Sequence, residues 1–222
     1  RGPHRSALDP ENIALVHEDV KYQVDAGFSK IVFWEDLKRL KPRRLKISPI
    51  AVVAQKNCRG RLILDLSFPV YSERTMANPR PDPIQAGVNE TTVQLAPQEP
   101  VREIGNVLRR VLTLLDSAAL NEVVMLAKID LSDGFWQMLV EERQQLNFAY
   151  VMPDPPGKPT RIIVPAALQM GWMESPAYFC AATETSRDIV QGLVTNKVEL
   201  PPHCLENYMR PRKAAKRSKS DS

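Results

Sequence analysis

Three short segments hold residues whose types and spacing could do chemistry. The first is Lys128-Ile129-Asp130-Leu131-Ser132-Asp133-Gly134-Phe135-Trp136, in which Asp130 sits at the end of the apolar run Val123 to Leu131. A carboxylate closing a buried apolar strand is costly unless a charge or hydrogen bonds compensate it. Two readings stay open for Asp130: a cap for the turn that follows, or an oxygen ligand for a hard cation such as Mg²⁺. The second segment is Leu168-Gln169-Met170-Gly171-Trp172-Met173-Glu174-Ser175-Pro176-Ala177-Tyr178-Phe179. Its glycine permits close backbone approach, and Ser175-Pro176 opens a helix. Alone, it reads as a helix start with an aromatic face. The third runs from Ser48 to Lys56, turns, and returns through Arg59-Gly60-Arg61 to Leu66. Cations at a hairpin tip and on its return arm can grip phosphates; such cations are also commonly just solvated.

Elements of ordinary kinds must position these residues. Asp9-Pro10-Glu11 is a helix start, and Ile13, Val16, Val20 and Val24 follow at three- and four-residue steps, with Gly27 as the stop. A basic run of Lys38, Arg39, Lys41, Arg43, Arg44 and Lys46 comes next. Ile47 to Ala54 and Leu62 to Phe68, split by Asn57-Cys58-Arg59-Gly60, predict a hairpin. Residues 69 to 100 are proline-rich and aperiodic, which predicts a long irregular connection. Val101, Ile104, Leu108, Val111 and Leu115 predict a helix with a packed face. Val123 to Leu131 predicts a buried strand. Two more strands, Leu146 to Met152 and Arg161 to Val164, flank the breaker Pro153-Asp154-Pro155-Pro156-Gly157, and a helix runs from Ser175 to about Leu193. This mixture predicts an α+β fold, an antiparallel sheet with helices packed on one side.

Composition narrows the function classes. The 222 residues are 43% hydrophobic and 25% charged, ordinary for a globular protein. No run of 18 apolar residues occurs, so no membrane partner is expected. Cys58, Cys180 and Cys204 are odd in number and far apart, which fits an intracellular setting better than a disulfide framework. Neither they nor His4, His17 and His203 have zinc-ligand spacing. The formal charge is +4, but Arg210 to Ser222 alone contributes +5, leaving the other 209 residues at −1. The basic tail, which composition predicts to be disordered, therefore sets the pI. Bulk charge is no sign of a nucleic-acid partner.

In this order, the three segments resemble the polymerase domain of reverse transcriptases from long-terminal-repeat retrotransposons and retroviruses. The resemblance covers roughly residues 13 to 193, with 29 to 46 and 69 to 100 as spacers. It implies the fingers and part of the palm of a right-hand polymerase. Residues 1–100 would hold the leading helix, the hairpin and the proline-rich connection; 101–200 would be the partial palm, and 201–222 the tail. By motif position it makes Asp130 the catalytic, metal-binding aspartate, with the Leu131 carbonyl on the same metal. Phe135 becomes the gate that rejects a 2′-hydroxyl, and Lys56 and Arg61 the cations that approach the triphosphate. Met170, Gly171, Trp172, Ser175 and Pro176 would shape the nucleotide pocket and support the template. Met170 stands where many members have Gln or Phe, and Gln169 replaces the usual proline.

The implied chemistry is nucleotidyl transfer with two Mg²⁺ ions, held about 3.5–4 Å apart by strand-borne carboxylates. The family takes the other carboxylates from a Y/V-x-D-D hairpin beyond the Ser175 helix. No Asp-Asp pair occurs in this chain, and after Asp188 the only aspartate is Asp221. The expectation is a domain truncated before that motif and belonging to a polyprotein. Alone it would be inactive and hold at most one ion weakly. The complete parent would bind an RNA or DNA template-primer and deoxynucleotides in the cytoplasm or nucleus. The alternative is a non-catalytic nucleic-acid-binding or interaction remnant. An RNA-dependent RNA polymerase is a remoter reading, against which the bulk of Phe135 argues.

Overall fold

The computed structural model describes residues 2–71, 83–104, 106–119, 122–125 and 130–198. The chain divides into two compact units, residues 1–183 and 184–222. In the first unit, α1 (Arg5–Leu8) leads into α2 (Pro10–Asp25), β1 (Ser29–Phe33) and α3 (Trp34–Leu40). The hairpin β2 (Ile50–Gln55) and β3 (Cys58–Leu64) follows, then the short pair β4 (Val70–Tyr71) and β5 (Pro83–Gln85). Helices α4 (Glu99–Ile104), α5 (Val107–Ser117) and α6 (Glu142–Gln145) precede β6 (Tyr150–Val151) and β7 (Arg161–Pro165). The last helix, α7 (Ser175–Thr195), begins in the first unit and ends in the second.

The main sheet is antiparallel, in the order β1-β7-β6, with Ile31 opposite Ile163 and Tyr150 opposite Ile163 on the other side. Strand β7 is central, and its side chains alternate between two cores, as the two-residue period of a strand requires. Ile163 joins Val16 and Val20 of α2, Ile50, Val52 and Leu64 of the hairpin, and Phe148. Ile162 and Val164 point the other way, to Leu37 of α3, Ala149 and the partly buried Trp34. The α+β expectation holds at this level. The expectation of helices on one side only does not: α2 covers one face, and α3 packs on the other through Leu37.

Helix α2 starts and stops where expected, although Asp9, the expected cap, makes no side-chain bond to the helix amides. Pro10 occupies the first turn, where its missing N–H costs nothing, and Gly27 ends the helix at φ 78°. The hairpin turn is displaced from expectation. Its loop is Lys56-Asn57, with Asn57 at φ 59°, so Cys58 to Gly60 already belong to β3. Asn tolerates the left-handed region that a two-residue loop demands.

Two expectations are not met by the described residues in the middle of the chain. The 101–115 periodicity appears as two helices, yet no residue of α5 is fully buried and Leu108 is 70% exposed. The strand predicted over Val123 to Leu131 is absent from its described residues. Val123 and Met125 are 81% and 87% exposed, and Leu131 is exposed too; residues 126–129 lie outside the described set. The tail 201–222, with His203 and Cys204, also lies outside it. Among the described residues no helix is long and apolar enough to cross a membrane.

In the second unit, α7 carries the ion pairs Arg187–Glu184 and Arg187–Asp188. The helix closes with Lys197 at φ 50°, as the Val198 N–H reaches the Leu193 carbonyl at 3.0 Å.

Burying an isoleucine side chain contributes about 1.5–3 kcal/mol, and truncating one in a core costs about 2–5 kcal/mol. Urea denaturation is expected to show that loss for Ile163→Ala and a change within about 0.5 kcal/mol for the exposed Leu108→Ala.

Candidate functional site

Past β7 the chain runs through the buried stretch Ala166 to Gln169, bonded to the 138–140 segment by Val140 N to Ala166 O (2.8 Å) and Leu168 N to Met138 O (2.9 Å). It then reverses at Gly171, which has φ 96°. A β-carbon there would lie 3.1 Å from the Leu64 carbonyl oxygen, so the glycine turn sits against the end of the hairpin. Asn89 joins the two. Its amide donates to Gly171 O (3.0 Å) and Ser67 Oγ (2.8 Å), and its carbonyl oxygen accepts from Met173 N (3.0 Å).

Helix α7 starts from this turn in an unexpected way. Ser175 is its first residue, is buried, and donates to the Gln169 carbonyl at 2.8 Å rather than capping the helix amides. Gln169 in turn donates to Ala167 O at 2.9 Å. Glu174, only 1% exposed, accepts at Oε2 from the amides of Leu95 (2.9 Å) and Ala96 (2.8 Å). Its other oxygen, Oε1, is buried with no hydrogen-bond partner among the described residues.

A cavity of about 820 Å³ opens beside the turn, lined among others by Arg44, Lys46, Phe148, Trp172, Glu174 and Tyr178. Trp172 stacks on Tyr178 (5.9 Å, 21°), meets Phe148 edge-on (5.2 Å), and donates from Nε1 to Thr92 Oγ1 at 3.0 Å. Lys46 donates to Thr91 Oγ1 and to Gly87 O (3.4 Å). Burial pushes the Lys46 ammonium below the usual lysine range, against an opposing pull from Glu90.

The residues singled out from sequence fall into groups. Gly171, Trp172 and Ser175 belong to the turn just described; Met170 and Pro176 flank it and are exposed. Phe135 sets its ring edge-on to Phe179 of α7 (5.2 Å, 86°), and a β-carbon on Gly134 would lie 2.8 Å from that same ring. The 133–136 turn is also tied to α2, where Tyr22 donates to Asp133 Oδ2 at 2.6 Å. Lys56 and Arg61 are exposed on the hairpin, with no ion-pair partner among the described residues. Arg59 is different: it bridges Glu18 (2.9 Å) and Asp19 (2.8 Å), fastening the hairpin to α2. Asp130 is exposed and off any described strand, and no hydrogen bond or ion pair links it to a described residue.

Asp130 and the Leu131 carbonyl supply one carboxylate and one neutral oxygen. That donor set does not fit a two-ion centre, which needs carboxylates able to bridge both cations. Sequence reasoning assigned no role to Asn89 or Glu174. A glutamate flanked by Met173 and Ser175 at a helix start was the available signal. The chain matches no protein-family model and no curated protein.

The glycine turn yields a direct test. Gly157 also has positive φ, 85°, but nothing lies near its missing side chain. Thermal or urea unfolding is expected to show Gly157→Ala costing only the conformational strain, about 1–2 kcal/mol. Gly171→Ala should cost more, because its methyl also presses on the Leu64 carbonyl; equal losses would mean the close approach has no weight.

Proposed function

We propose that the chain is a piece of a reverse-transcriptase-type polymerase domain, comprising fingers and part of the palm. The complete parent performs template-directed nucleotidyl transfer. One observation carries the reading: three motifs occur in family order, and the glycine turn of the last packs on the hairpin of the first. In this reading Lys56 and Arg61 meet the triphosphate, and Phe135 crowds the sugar. Met170 and Gly171 border the nucleotide, while Trp172, Ser175 and Pro176 support the template side. Asp130 with the Leu131 carbonyl is the chain's contribution to the Mg²⁺ centre. Mg²⁺ would supply charge stabilisation at the phosphates. Partners are a template-primer and deoxynucleotides, met in the cytoplasm or nucleus.

The missing Asp-Asp pair means that this polypeptide by itself does not turn over. Given primer-template, deoxynucleotides and Mg²⁺, it is expected to extend no primer. Incorporation that Asp130→Asn abolishes would contradict that expectation and establish catalysis.

The second reading is a non-catalytic nucleic-acid-binding module, favoured by the exposed Asp130, which has no partner among the described residues, and by the cations after α3. Lys38 and Arg39 pair within α3 with Glu35 and Asp36, whereas Lys41, Arg43 and Arg44 have no ion-pair partner among the described residues. Phosphate contacts release counterions, so affinity falls with salt, by about 0.7–0.9 in the logarithmic slope per neutralised phosphate. Replacing the six cations from Lys38 to Lys46 with alanine should flatten that slope in fluorescence anisotropy of labelled primer-template. An unchanged slope would show that these cations are only solvated. No binding at about 50 mM salt, where such contacts are strongest, would count against both readings.

A further inference from the structure

Strand β1 is an edge of the main sheet, with β7 on one side and no strand among the described residues on the other. Hydrogen bonds beyond its two ends fix which backbone groups are left over. Trp34 N donates to Thr160 O (2.9 Å) and Ala166 N to Phe28 O (2.8 Å), both continuing the β1–β7 register. An antiparallel ladder alternates, so Lys30 and Val32 also face β7. The N–H and C=O of Ile31 and the N–H of Phe33 therefore point outward, and among the described residues none bonds to them.

The side chains at these positions are apolar and exposed, Ile31 at 39% and Phe33 at 47%. Ile31 lies opposite Ile163 and shares its face, the one covered by α2. On that face a cavity of about 520 Å³ opens between α2 and the sheet, lined by Val20, Val24, Ile31, Met152 and Arg161 among others. Charges around it are matched within the chain: Lys21 pairs with Asp25, and Arg161 with Asp154. The strand has no proline and no bulge, the usual devices that keep an edge from pairing. Its one charge, Lys30, has Glu142 at 3.3 Å.

We infer that β1 pairs with β1 of a second copy of this chain, antiparallel about a two-fold axis at Ile31. The edge is complementary to itself, as such an axis requires. Each Ile31 exchanges two hydrogen bonds with its counterpart, and each Phe33 N–H meets the Ser29 carbonyl of the other copy. The two Ile31 side chains then lie side by side on the cavity face, and Lys30 stands opposite Val32 rather than another lysine. With only five residues in the strand the contact is small, which places the dissociation constant at about 10–100 μM. The pairing uses neither Asp130, nor the hairpin, nor a metal, so it stands or falls apart from the polymerase reading.

Sedimentation velocity of the full chain, from tenfold below to tenfold above that range, should show monomer passing to dimer. Ile31→Lys sets two like charges directly opposite each other and should weaken association at least about tenfold. Leu108→Lys, on the equally exposed apolar residues of α5, should leave it unchanged. Amide exchange of the unaltered chain is the second measurement. The Ile31 and Phe33 amides should slow at least about threefold from the lowest to the highest concentration, while Val32, bonded to β7, stays slow throughout. Slow Val32 exchange in Ile31→Lys also shows that the variant keeps its sheet. A monomer at every concentration overturns the inference. So does a dimer that Ile31→Lys leaves intact or Leu108→Lys abolishes, or exchange at Ile31 that does not depend on concentration.

Discussion

The turn from Gln169 to Ser175 is held by side chains reaching in from elsewhere, and the rest of the site depends on that constraint. Ordinary secondary structure cannot hold it, because from Gln169 to Glu174 the chain is neither strand nor helix. Asn89 bonds both sides of the glycine reversal and the loop after the hairpin. Thr92 fixes the Trp172 indole, Glu174 anchors the 95–96 backbone, and Ser175 ties the helix start back to Gln169. Each buried polar group so paired contributes only about 0.5–1.5 kcal/mol net, but leaving one unpaired costs about 1–3 kcal/mol. The network therefore acts less as glue than as a specification: alternative paths for the turn would strand several buried groups at once.

From this joint the arrangement of the motifs follows. Strand β7, covered on both faces, delivers the chain to the turn; the hairpin end receives Gly171; and α7 carries Phe179 to the 133–136 turn. Segments distant in sequence thus share one packing unit. Asp130 is the exception. It lies only three residues before Asp133, which Tyr22 holds, yet has no partner of its own among the described residues.

Much of the fold was legible in the sequence, for identifiable reasons. Helix α2 announces itself by Pro10 at its start and by the spacing of Val16, Val20 and Val24, and both signals are local. Strand β7 and helix α7 stand out because an apolar run and a Ser-Pro start are also local. What could not be read was pairing. The apolar stripe of α5 has helical periodicity, but periodicity names a face that wants cover without showing what covers it. The 123–131 run has strand composition, whereas a strand exists only if a neighbour pairs with it, and its described residues have none. The stretch Asn57 to Gly60 reads as the hairpin turn, but Asn57 accepts the left-handed conformation and the loop closes before Cys58. Asn89 and Glu174 escaped notice because their importance comes from groups some 80 residues away in the chain.

The most direct test of the pinned turn is amide hydrogen exchange, followed residue by residue by NMR. The amides of Leu95, Ala96 and Met173 lie outside strands and helices and, among the described residues, bond only to the side chains of Glu174 and Asn89. If those side chains fix the turn, the three amides exchange as slowly as Ile163 in the core strand, opening only with the whole unit. Exchange at the rate of a solvated loop would contradict the account: the turn would then be held by nothing more than its neighbours in sequence.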